Sequence, residues 1–154
     1  MFVFLDIDGV MVPVASWKVP ENLEDGFPMF STRAVETLKR ILSEDTQIVL
    51  TTSHKSRFNL EEWKKIFERR GIKINKLSCL NSADNSRKRK DELIDWFDIH
   101  NVGKDFIIID DDNSLRALPP GLKEHLIVTS ALIGLTQDHL AQASAILGTK
   151  LQQA

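Results

Sequence analysis

The sequence predicts an α/β fold, a five-stranded parallel sheet between layers of helices, on three observations. Short apolar runs alternate with amphipathic segments along the chain, the pattern of βαβ units. The first run, Phe2–Leu5, is continuously apolar, as a strand buried on both faces must be. Polar residues with chemical potential follow several runs directly, and in such sheets the ligand lies at the carboxyl ends of the strands.

The elements follow in order. After Phe2–Leu5, residues 10–30 hold Pro13, Pro20, Gly26 and Pro28 and read as a loop or flap. Ser31 has the position of an N-cap, and Val35, Leu38, Ile41 and Leu42 give the next helix its apolar stripe. Gln47–Thr52 is the second strand. Leu60, Trp63, Ile66 and Phe67 form the stripe of a helix that stops near Gly71. A third strand falls within Ile72–Leu80. Leu93, Ile94, Trp96 and Phe97 mark another helix, Phe106–Ile109 the fourth strand and Leu126–Val128 the fifth. Thr136 caps a last helix with Leu140, Ala143, Ile146 and Leu147 facing inward. Parallel neighbours need crossover helices, so the whole reads as a three-layer, doubly wound, Rossmann-like sheet.

The 154 residues suit one domain spanning 1–154. With 42% hydrophobic and 27% charged residues the composition is that of an ordinary globular protein, and a net charge of -2 gives no global basic field for nucleic acid. Cys79 stands alone, which excludes an internal disulfide and a multi-cysteine metal site. Met1–Leu5 is too short to span a membrane and lacks a basic leader, so the expected setting is the cytoplasm with no membrane partner.

Four segments carry chemistry. The first strand ends Asp6-Ile7-Asp8-Gly9. Residues two apart in extended chain share a side, so Asp6 and Asp8 can both face the crevice. Carboxylates this close repel unless a proton or cation intervenes, and hard, oxygen-seeking Mg²⁺ is the economical cation. The second strand runs into Thr51-Thr52-Ser53-His54-Lys55, whose hydroxyls and N–H groups suit an anion. Arg87-Lys88-Arg89-Lys90 opens the helix of Leu93; cations there oppose the helix dipole, which points to an anionic partner. The fourth strand ends Asp110-Asp111-Asp112-Asn113, placing at least one carboxylate at the ligand edge. Each segment has a plainer reading: a solvated turn, a capped helix start, a solvated basic face, an acidic loop.

Together and in this order the segments resemble the haloacid-dehalogenase (HAD) superfamily of phosphotransferases over nearly the whole chain. Asp6-Ile7-Asp8-Gly9-Val10 is similar to its first motif, Thr52 with Ser53 to its second, a cation at Arg89 or Lys90 to its third, and Asp110-Asp111 to its fourth. The region from Asp45 to Ser53 resembles 5′(3′)-deoxyribonucleotidases. Ile109–Asp112 with Gly134-Leu135-Thr136 resembles the small capless domains of multifunctional bacterial RNA-repair proteins. The third-motif residue is usually lysine in the family; here Arg89 fits best by its spacing to Leu93 and Phe97, with Lys88 and Lys90 adjacent.

The resemblance implies a phosphomonoesterase. Asp6 attacks phosphorus to form an aspartyl-phosphate, and Asp8 protonates the leaving oxygen. Mg²⁺ is held by Asp6, the backbone carbonyl of Asp8, and Asp110 or Asp111; Thr52, Ser53 and the third-motif cation bind phosphoryl oxygens, and Asn113 orients the fourth-motif carboxylates. Roughly twenty loop residues after the first motif and about 35 between the second and third are too few for a cap domain with its own core. The implied site is open and suits a large phosphorylated substrate such as a nucleic-acid end, with Trp17, His54, Lys55 and Arg57 placed to touch it. The alternatives are a small-molecule phosphatase acting on nucleotides and a non-catalytic binding module that keeps the fold.

Overall fold

The computed structural model describes residues 1–14, 21–80 and 88–148. Five strands, β1 (Phe2–Leu5), β2 (Gln47–Leu50), β3 (Lys76–Cys79), β4 (Phe106–Asp110) and β5 (Leu126–Val128), form one sheet in the order β3-β2-β1-β4-β5. Every pairing is parallel. The helices are α1 (Thr32–Ile41), α2 (Leu60–Arg69), α3 (Arg89–Ile99), the short α4 (Pro120–Lys123) and α5 (Leu140–Leu147).

Alternation along the strands builds two cores. Val3 and Leu5, Ile48 and Leu50, and Ile107 and Ile109 face one way, onto Ala34, Leu38 and Ile41 of α1, Trp63, Ile66 and Phe67 of α2 and Ala143 of α5. Phe4, Val49 and Ile108 face the other way, onto Leu93 of α3 and Leu115 and Leu118 beyond β4. The three-layer arrangement is thus the one the apolar runs predict. Ser31 caps α1 as expected, its Oγ accepting from the Ala34 N–H at 3.1 Å.

One expectation changes. Leu60 is 42% exposed rather than part of the α2 stripe. Asn59 is the N-cap, exchanging hydrogen bonds with Glu62, so Leu60 falls on the first turn, beyond the buried line of Trp63, Ile66 and Phe67. The segment read as a loop or flap is, in its described parts, a loop that packs: Val10, Met11, Val12, Phe27 and Phe30 belong to the larger core. Arg70 holds its second half. The guanidinium donates to both Asp25 carboxylate oxygens (2.7 and 3.0 Å) and to the carbonyls of Phe27, Pro28 and Ile66. Among the described residues no helix is long and apolar enough to cross a membrane.

Candidate active site

The sheet register assembles the site. Chain order reverses between β1 and β4, so the crevice lies at their carboxyl ends. Leu5 pairs with Leu50 on one side and Ile109 on the other. The next residue on each strand is Asp6, Thr51 and Asp110. Alternation turns these three to the face of Phe4, Val49 and Ile108, which is the face of α3. The Asp6 N–H donates to Ile109 at 3.1 Å and the Thr51 N–H to Leu5 at 2.9 Å, which locks the row.

Arg89, the first residue of α3, meets this row. Its Nη1 lies 3.1 and 3.0 Å from the two Asp110 oxygens and 3.3 Å from Asp6 Oδ2. Asp110 is fully buried and Asp6 nearly so. Burial, and then the charge of Asp110, push the Asp6 carboxyl up to about 8, against the pull of Arg89; a hydrogen bond with Asp111 adds to the rise. Burial also raises Asp110, again opposed by Arg89. For Arg89, burial works against the charge, but Asp6 and Asp110 outweigh it and hold the guanidinium above its ordinary value.

Asp6, Asp110 and Asp111 each offer a carboxylate oxygen, all within 4.8 Å of one another. An all-carboxylate set of this size is what a hard divalent cation such as Mg²⁺ takes, and one guanidinium does not neutralise three carboxylates. The donor set therefore fits the ion. Gly9, with φ +79°, makes the packing possible: a Cβ there would fall on the Asp111 carboxylate. The Asp112 N–H holds Asp110 Oδ1 at 3.0 Å. Asn113, expected to orient these acids, accepts from Arg116 Nε at 3.4 Å.

Asp8 is half-exposed, and its Oδ2 lies 2.8 Å from His54 Nε2. His54 is thus engaged with an acid of the site itself. Lys55, the next candidate substrate contact, pairs with the buried Glu92 of α3 at 3.2 Å. Arg57 lies over the rings of Phe27 and Phe58, its Nη1 3.4 Å from His54 Nδ1. Thr52 is buried, its Oγ1 accepting from the His54 N–H at 3.2 Å, while Ser53 is exposed. Lys90 is half-buried on the first turn of α3, and Lys88 is the exposed N-cap. Trp17 lies outside the described residues.

Thr51 belongs to the segment read as suiting an anion but was not singled out in it, Thr52 and Ser53 being preferred. It is level with Asp6, buried, and its hydroxyl has no partner. Among the described residues, Thr51 Oγ1 and Arg89 Nε are the two buried side-chain polar atoms left without a hydrogen bond; Thr51 follows the strand residue paired with Leu5, and Arg89 pairs with Asp6 through Nη1. The strand register was the signal that could have found Thr51: the first hydroxyl after the apolar run, not the second, matches the first aspartate.

A family model described as the HAD domain in Swiss Army Knife RNA repair proteins matches residues 2–140. No curated protein and no solved structure matches.

Proposed function

The chain belongs to the family of HAD domains found in Swiss Army Knife RNA repair proteins, and from that premise we propose that it is a Mg²⁺-dependent phosphomonoesterase acting on a phosphorylated RNA end. The observation that carries the reading is the carboxylate group of Asp6, Asp110 and Asp111 at the switch point, faced by Arg89. A site that gathers buried acids and a guanidinium beside unpartnered polar atoms is built for an anion and a cation together.

Asp6 is the nucleophile: one carboxylate oxygen bonds to phosphorus as the ester oxygen departs, leaving an aspartyl-phosphate. Asp8 supplies the proton to that leaving oxygen, then takes one from the water that hydrolyses the acyl phosphate. Arg89 and the Thr51–Thr52 strand end bind the remaining phosphoryl oxygens. Asp6, Asp110 and Asp111 would hold Mg²⁺, which would supply positive charge to offset that of the transferring group. The short connections after the first motif and between the second and third are too small for a cap domain with its own core, which supports a large substrate such as a polynucleotide end.

The test is a hydrolysis screen of the parent protein and Asp6→Asn on 3′- and 5′-phosphorylated RNA oligonucleotides, nucleoside monophosphates and 4-nitrophenyl phosphate, with Mg²⁺ and with chelator. Metal-dependent release of phosphate from an RNA end, lost in Asp6→Asn, is the expected result. Turnover of nucleotides with none on oligonucleotides moves the reading to a small-molecule phosphatase. No turnover of any ester overturns it.

A further inference from the structure

Asp8 takes no part in the ion pairs of Arg89 with Asp6 and Asp110. Its carboxyl is half-exposed, so packing alone does not fix its rotamer. What does hold it is His54, whose Nε2 is 2.8 Å from Asp8 Oδ2 across 46 residues of chain.

His54 is itself fixed on three sides. Its N–H donates to Thr52 Oγ1 at 3.2 Å. Its ring stands edge-on to the buried Phe27, centroids 5.8 Å apart. Its Nδ1 faces Arg57 Nη1 at 3.4 Å. A guanidinium only donates, so Nδ1 is the acceptor in that pair and the hydrogen toward Asp8 sits on Nε2. Arg57 in turn lies over Phe27 and Phe58. The hydrogen-bond direction therefore runs Arg57 to His54 to Asp8.

We propose that His54 is a positioning residue that aims the proton-bearing oxygen of Asp8 at the leaving group, an inference that rests on the phosphatase reading above. With Oδ2 engaged by the imidazole N–H, the other oxygen, Oδ1, carries the transferable proton. As the bond from phosphorus to the ester oxygen breaks and the bond from Asp6 to phosphorus forms, the electron pair goes to the ester oxygen, which takes the Asp8 proton. His54 keeps its own proton throughout. Its contribution is orientation, of the kind by which a second group holds the acting one in line.

Orientation of an acid matters in proportion to how badly the leaving group needs a proton. A nitrophenolate departs unaided, a phenolate less readily, and an alkoxide hardly at all. The experiment measures kcat/KM on 4-nitrophenyl, phenyl and benzyl phosphate for the parent, His54→Ala and His54→Gln. This parameter counts only the steps through alcohol departure, so hydrolysis of the shared acyl phosphate drops out. The three esters are alike in size, which separates leaving-group demand from binding. The expected result is a loss in His54→Ala at least about tenfold larger on benzyl than on 4-nitrophenyl phosphate. His54→Gln, whose amide N–H reaches a similar place, should restore most of it. An equal loss on all three esters makes His54 a phosphate contact or a packing residue and overturns the proposal, as does failure of Gln to narrow the gap. Should His54→Ala not fold, the steepness across the esters in His54→Gln relative to Asp8→Asn decides: a glutamine variant as steep as Asp8→Asn overturns it. A parent protein inactive on every ester fails at the phosphatase reading itself, a different result from an active parent with a flat His54→Ala profile.

Discussion

Arg89 Nη1 stands 3.0 Å from Asp110 Oδ2 and 3.3 Å from Asp6 Oδ2, so a single nitrogen ties the ends of β4 and β1 to the start of α3. Arg89 lies four residues before Leu93 and shares its inward face, whereas Lys90 is rotated by about 100°. Arg89→Ala is therefore expected to lose more activity than Lys88→Ala or Lys90→Ala, by about tenfold or more. It should also lower stability by about 1–3 kcal/mol, because buried carboxyls lose their cation. Arg89→Lys keeps the charge but not the fork, and should recover part of both. Kinetics and thermal melts of the four variants check this; a larger loss in Lys90→Ala would assign the phosphate contact to that residue.

The carboxylate group predicts a metal effect that needs no turnover. Adding Mg²⁺ should raise Tm, by an amount corresponding to about 2.7 kcal/mol at a hundredfold excess over Kd. Asp111→Asn and Asp110→Asn should each shrink the shift. Asp6→Asn should abolish turnover while keeping the fold, since the amide is nearly isosteric with the carboxylate but a poor nucleophile. An unchanged Tm across a wide Mg²⁺ range would remove the ion from this site.

Thr51 and Thr52 make opposite predictions. The Thr51 hydroxyl is unpartnered and level with Asp6, whereas Thr52 Oγ1 already accepts from the His54 N–H. Thr51→Val removes an orphan at nearly constant volume, so stability should hold or rise slightly while activity falls about tenfold or more. Thr52→Val loses an existing bond and should cost about 1 kcal/mol. Melting curves and phosphatase rates on both variants separate them; if Thr51→Val keeps full activity, the anion does not use that hydroxyl.

The fold was legible because its signals are local and repeated. Runs such as Phe2–Leu5 and Phe106–Ile109 are apolar on both faces, and stripes such as Trp63, Ile66 and Phe67 have one period. The acids of the site were legible because Asp6, Asp8, Asp110 and Asp111 follow strands immediately. What was not legible depends on register and long-range packing. Thr51 and Thr52 are neighbours in the chain, and only the pairing of Leu5 with Leu50 puts Thr51 level with Asp6. His54 and Lys55 read as two substrate contacts, yet one meets Asp8 and the other Glu92, 46 and 37 residues away. The prolines of residues 10–30 spoke for a loop, but they do not disclose that Phe27 and Phe30 fill the core, nor that Arg70 fastens them there.

That fastening has its own pH dependence. Arg70 is almost wholly buried and reaches Asp25 with two hydrogen bonds while holding the carbonyls of Phe27 and Pro28. The Arg70 hydrogen bonds hold the Asp25 carboxyl below its ordinary value, against a smaller cost of burial. A depressed carboxyl stabilises the fold above the unfolded-state value, about 3.9, and that stabilisation is lost as pH falls through the folded-state value. Asp25→Asn should lower stability at pH 7 by about 2 kcal/mol, a charge-assisted pair replaced by a neutral one. For a chain of this size that is a drop of about 4–8 °C in Tm. The gap between parent and variant should then close as the pH falls below the unfolded-state value and on through the lower folded-state one, where Asp25 gains a proton in both folded and unfolded chains. Because Phe27 also stands against His54, the same variant should lose a little activity at neutral pH. Melts of both proteins across this range check the sign; a gap that stays constant would mean that the Asp25 charge contributes nothing to holding Phe27 in place.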